Sequence, residues 1–233
     1  ESAWVKTREK PLPLRRPRRV EVRALEREGQ LYAPQSDGMI DNAFELLGPL
    51  DDALPGPAVA AGWAAVESLL HSAGDERVLA GDRLASLVAC SFPRAELTEL
   101  SYVLQSNGNL AIAEQLAACP TNRDRAQRVA RAIGEQEPLV LSRQSDVAAV
   151  ARMRDLLDNP RIVLMDVEKH ARSAFRRLYR HRNLVLHWGK VHSVALLACL
   201  RTVAPLVGAG VDRLQLDLLG GSTSDGPLGL LED

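Results

Sequence analysis

Residues 180–189, Arg180-His181-Arg182-Asn183-Leu184-Val185-Leu186-His187-Trp188-Gly189, decide how this chain is read. Apolar side chains recur at helical spacing on both sides of them. Upstream, residues 161–181 carry Ile162, Leu164, Met165, Val167, Ala171, Phe175 and Leu178; downstream, residues 190–207 carry Val191, Val194, Leu197, Leu200 and Leu206. A period near 3.6 predicts a helix on each side, and Trp188-Gly189 predicts the break between them. The pattern extends back through the chain. Ser36 or Asp37 is placed to cap a helix carrying Met39, Ile40, Phe44, Leu46 and Leu47. Helices are also predicted over residues 58–72, 78–90, 110–118, 123–133 and 146–157, and Pro93 suits the first turn of another bearing Leu97, Leu100, Tyr102 and Val103. The expected fold is all-α, a helical bundle over residues 36–210 with a short extended or β arm before it. No repeat of solenoid period is present.

Composition agrees with this. The 233 residues are 46% hydrophobic but only 4% aromatic, so the core is built from Leu, Ala and Val. That favours packed helices over a sandwich or barrel. The formal charge of −1 excludes nothing about a polyanionic partner. Cys90, Cys119 and Cys199 are far apart and odd in number, which argues against a disulfide framework or a thiolate zinc site and fits a reducing, cytoplasmic setting. No uninterrupted apolar run reads as a membrane span, so no membrane partner is expected.

Within the quoted stretch, Arg182 and His187 are five residues apart. A regular helix would place them about 140° apart around its axis, so they would not converge unless the helix ended or broke near Trp188-Gly189. Their chemistry suits RNA. An imidazole titrating near neutrality can move the 2′-hydroxyl or leaving-group proton. A guanidinium can stabilise charge developing on phosphate, and Asn183 can hydrogen-bond that phosphate or orient its neighbours. The bland reading of the same pair is a capped helix end with a satisfied surface pair.

The pattern Arg182-Asn183, three residues, His187, one residue, Gly189 resembles the signature of the HEPN superfamily, especially the ApeA-like HEPN domains of prokaryotic defence proteins. The segment Gly62-Trp63-Ala64-Ala65-Val66-Glu67-Ser68-Leu69-Leu70 is similar to an earlier helix of those domains. The resemblance spans roughly residues 40–210. It implies a homodimer in which two motifs face each other across a cleft and form one composite endoribonuclease site. The implied reaction is metal-independent and cofactor-free, a 2′-hydroxyl attack leaving a cyclic phosphate, in an antiviral effector or toxin. One toxin branch has Tyr where this chain has Gly189, which sets the chain apart from that branch. The alternative implied by the same resemblance is a non-catalytic module that binds RNA or nucleotide, or assembles a complex.

Arg172, Arg176 and Arg180 recur every four residues and form a stripe leading to the motif. It reads either as a track for the RNA backbone or as a solvated face with Glu168 paired to Arg172. Arg125, Arg128 and Arg131 form a second stripe, read as a solvated face. Glu67 is either a supporting carboxylate that holds Arg182 or a solvent-facing residue. His181, His187 and His192 share no helix face and have no accompanying carboxylates, so no metal site is expected. Gly208-Ala209-Gly210 follows a helix rather than a strand, which removes a dinucleotide reading. Residues 1–35 are basic and interrupted by Pro11, Pro13 and Pro17. They are open to three readings: a linker from an upstream sensor domain or partner, an RNA- or partner-binding arm, or one short strand through Val20 and Val22. Residues 211–233 are expected to be a flexible tail.

Overall fold

The structure, a computed structural model, describes residues 18–23, 38–191 and 193–219. Most of these residues are helical, with no strand among them. The helices are α1 (Met39–Leu47), α2 (Pro49–Asp52), α3 (Pro55–Leu70), α4 (Leu79–Asn107), α5 (Leu110–Ala117), α6 (Asn122–Gly134), α7 (Gln144–Asp158), α8 (Pro160–Trp188) and α9 (Val194–Leu219). The all-α expectation holds.

Two apolar cores form. The first gathers Leu47 and Leu50 with Trp63, Val66 and Leu70 of α3. Leu84 and Val88 of α4, Phe175 and Leu178 of α8, and Leu196, Leu200, Val203 and Val207 of α9 complete it. The second gathers Leu97, Leu100 and Leu104 of α4 with Ile112 and Leu116 of α5, Val129 and Ile133 of α6, and Val150 and Met153 of α7. Val163 and Leu164, at the start of α8, pack against it. The two longest helices, α4 and α8, are each 29 residues, about 43 Å long, and each runs through both cores. They are antiparallel: the Ser86 hydroxyl donates to Glu168, and Asp82 meets Arg176 one turn earlier on α4. Gly81 lets α4 approach this closely. A Cβ there would lie 3.0 Å from the Trp63 ring and 3.1 Å from the Phe175 Cβ.

Several boundaries differ from those expected, each for a physical reason. Pro93 does not start a helix; α4 continues through it. The ring removes one backbone donor, but the halves on either side are anchored in different cores, and packing outweighs the lost bond. Likewise α8 does not stop at residue 181 but carries the whole motif to Trp188. It ends there because Gly189 adopts φ 62°, a left-handed turn that caps the carbonyls of Leu184 and Val185. Residues 211–219 of the expected tail are helix instead, and residues 220–233 lie outside the described residues. Residues up to Leu219 belong to α9, and Val211 and Leu214 are buried in the first core. Gly38 occupies the N-cap of α1; Ser36 and Asp37 lie outside the described residues.

Helix α9 also corrects the reading of membrane character. Val194–Gln215 is long and apolar enough to span a bilayer, although half of it is buried inside the fold. Its apolarity is that of a core helix whose inward face is occupied. Residues 18–23, the described part of the arm, are neither free nor paired as a strand. Val20 and Val22 pack against the first core, and the Val20 N–H donates to Asp51 Oδ1 at 2.8 Å. The Arg18 guanidinium donates to the Ala53 carbonyl at 2.6 Å. Glu21 runs so close to α9 that a Cβ on Gly208 would sit 2.5 Å from its carbonyl oxygen.

Candidate functional site

Arg182, Asn183 and His187 lie in the last two turns of α8. Since α8 is regular to Trp188, Arg182 and His187 stay about 140° apart and about 7.5 Å apart along the axis. No break brings them together within one chain. The buried residues of α8 fall on the line Ala171, Phe175, Leu178, with Val185 packed against the same core. Arg182 stands on that line, between Leu178 and Val185, and is half-buried. His187 stands on another line with Lys169, Arg172, Arg176, Arg180 and Asn183, whose spacings of three and four residues make one continuous ridge. His187 is exposed at its end. Asn183 links the two lines, because its side-chain oxygen accepts a hydrogen bond from the Arg182 guanidinium at 3.1 Å. A core-facing cation, an amide and an exposed imidazole are thus assembled in sequence on one helix end.

Most of the expected arginine track is already engaged. Arg176 makes two hydrogen bonds to Asp82, at 3.0 and 2.6 Å, which hold its guanidinium above its ordinary pKa. Arg172 is paired to Glu168 and lies 3.9 Å from Asp82. The α4–α8 contact therefore consumes both, because Asp82 lies in the first turn of α4 directly opposite them. Arg180 lies beyond that end of α4; it is exposed and makes no ion pair among the described residues. Asp82 carries this arrangement, and the sequence reading did not select it; nothing in the one-dimensional pattern marks a carboxylate 94 residues from its partner.

Glu67 does not hold Arg182. It is half-buried on α3, and its carboxylate makes no hydrogen bond or ion pair among the described residues. The reason is register. The Trp63 and Tyr179 rings meet tilted at 47° with centroids 4.9 Å apart, and Gly56 lies against Val185, so α3 and α8 run antiparallel. Glu67 then stands opposite the level of Phe175, about 10 Å along the axis from Arg182.

In the second arginine stripe, read as a solvated face, Arg131 is exposed but Arg125 and Arg128 are engaged within the fold. Arg125 donates to Gln105 at 2.6 Å and lies over the Tyr102 ring, and Arg128 donates to Glu137 at 2.7 Å. Pairing with Arg128 lowers the Glu137 pKa. His181, on the flank of the motif, has its pKa lowered, first by burial and then by Arg180 and Arg177. Burial raises the Cys199 thiol to about 11, with Arg177 opposing it in part. Among the described residues, no group of three or more His, Cys, Asp or Glu side chains is placed to hold a metal ion. Comparisons with family models, with curated proteins and with solved structures give no match.

Proposed function

We propose that this chain is a HEPN-type endoribonuclease domain that acts as a homodimer, with a composite site built from two copies of the α8 end. The observation that carries this reading is the separation of Arg182 and His187 on one unbroken helix. A single chain presents both groups but cannot aim them at one phosphate, whereas two chains packed about a twofold axis can. In the reaction, the 2′-oxygen bonds to phosphorus as the P–O5′ bond breaks. One imidazole takes the 2′-hydroxyl proton, and an imidazolium gives a proton to the leaving 5′-oxygen. The products are a 2′,3′-cyclic phosphate and a 5′-hydroxyl. Arg182, steadied by Asn183, stabilises the pentacovalent dianion, for which its fixed fork is suited.

The test is cleavage of single-stranded and structured RNA in EDTA. Arg182→Ala and His187→Ala are each expected to lower the rate by about 100-fold or more. Mixing the unaltered chain with an equal amount of either inactive variant under conditions of subunit exchange should roughly halve the activity that the unaltered chain has alone, because only about a quarter of the dimers then carry two intact motifs. Activity left unchanged by the mixing, with the variant dimeric, would sink the composite site. A role in prokaryotic antiviral defence, in the cytoplasm and under an upstream sensor or partner, follows from the resemblance of residues 180–189 and 62–70. The second reading is a non-catalytic RNA- or nucleotide-binding or assembly module. The engagement of Arg172 and Arg176 by Glu168 and Asp82 favours its complex-assembly form, since a track for RNA would leave those guanidinia free.

A further inference from the structure

Trp188 is 73% exposed at the end of α8, and Val194, at the start of α9, is 86% exposed. Leu197, one turn further along α9, is also exposed. Large apolar groups in this position are costly to leave in water. Along the chain, the charge beside them has one sign. Between Glu168 and Asp212 the sequence contains no acidic residue. Arg177, Lys190 and Arg201 are exposed there and make no ion pair among the described residues. Arg177 and Trp188 stand on one line of α8, eleven residues or three turns apart. Arg177 acts on the acidity of the Cys199 thiol, so this side of α8 borders α9. It lies about 100° around the helix from His187. The ion pairs that consume Arg172 and Arg176 do not reach it.

We propose that the outer side of the α8–α9 hairpin is a platform for single-stranded nucleic acid, with one base stacked on Trp188 and the backbone lying against Arg177, Lys190 and Arg201. The inference rests on the proposed action on RNA for its biological substrate but not for its geometry. An aromatic ring set among cations takes any unpaired base, because every base offers a π-face. A duplex keeps its bases stacked on one another and cannot use the ring. Bound this way, a strand has His187 one residue along α8 from the stacked base and Arg182 less than two turns away.

The probe is oligodeoxythymidylate, which lacks the 2′-hydroxyl and cannot be cut by the proposed reaction, so binding is read apart from cleavage. It is added to the full chain, with fluorescence anisotropy and tryptophan quenching as readouts. The expected result is quenching on binding and an affinity for the single strand above that for a duplex of equal length. Trp188→Ala should weaken binding between about fivefold and a hundredfold, while Trp188→Phe keeps most of it. The double change Arg177→Gln, Arg201→Gln should flatten the dependence of log affinity on log salt by about 1.4. Unchanged binding by Trp188→Ala overturns the proposal. So does a Trp188→Ala chain that loses its oligomeric state in sedimentation yet binds the probe normally, since the patch would then be a seam between copies. Absence of RNA cleavage in any of these chains bears on the ribonuclease reading alone.

Discussion

Arg182 occupies a place on α8 that packing reserves for an apolar side chain, one step after Leu178 and one before Val185. A half-buried guanidinium there gives up hydration for one hydrogen bond to Asn183. Arg182→Leu is therefore expected to stabilise the fold by about 1 kcal/mol in urea denaturation while abolishing the proposed cleavage. A clear loss of stability would show that the cation is fixed for packing rather than held ready for chemistry. His181 gives a pH signature. Its folded pKa is below its unfolded value, so the unfolded chain binds the extra proton and stability rises with pH across that window. The melting temperature should fall as pH drops below about 6.5, and His181→Gln should reduce the fall. An identical pH profile in that variant would remove His181 as the cause. At this scale the sequence showed the identities of Arg182, Asn183 and His187 but not which lines of α8 they share. The angular reading followed once the helix was known to be unbroken. Trp188 was legible only as part of a predicted break, and its exposure needed the fold.

At the scale of elements, the α4–α8 pair explains both what the stripe does and why it was ambiguous. The spacing of Arg172, Arg176 and Arg180 is the same for a phosphate track and for a helix contact. Asp82 decides between them from the far end of the pair for two of the three residues. Asp82→Asn should free Arg176 while Arg172 stays paired to Glu168, tighten single-stranded nucleic-acid binding and steepen its salt dependence, at a modest stability cost of about 1 kcal/mol. Unaltered salt dependence would show that Arg176 does not reach a bound strand. The same pair is sensitive to volume. Gly81→Val should cost about 1–3 kcal/mol or more, because its first carbon already meets the Trp63 ring and the Phe175 Cβ at 3.0 and 3.1 Å. Most helices were legible from periodicity, as was the break at Trp188-Gly189, whereas several other helix ends were not. Pro93 and the tract after Gly208 both carry residues that stop isolated helices, and in both places burial on another element carries the helix onward.

For the whole molecule, α4 and α8 belong to both cores, so neither core can lose its packing alone. A single cooperative thermal transition is expected. Phe175→Ala in the first core should cost about 3–5 kcal/mol and lower hydrogen-exchange protection in α6 as well as α3. Two resolved transitions would contradict this. Two cores sharing helices cannot be read from a sequence, because the register between distant helices is not local information. There is also a mechanical consequence. Helix α8 is rooted at Pro160 beside the second core and delivers His187 at its other end, so it is a lever. A tilt of about 3° at the root displaces the tip by about 2 Å over that length, more than the roughly 1 Å misplacement that costs a catalytic group most of its rate. Any molecule that wedges or tightens α5–α7 would thus act as a throttle on the proposed site, which it never touches.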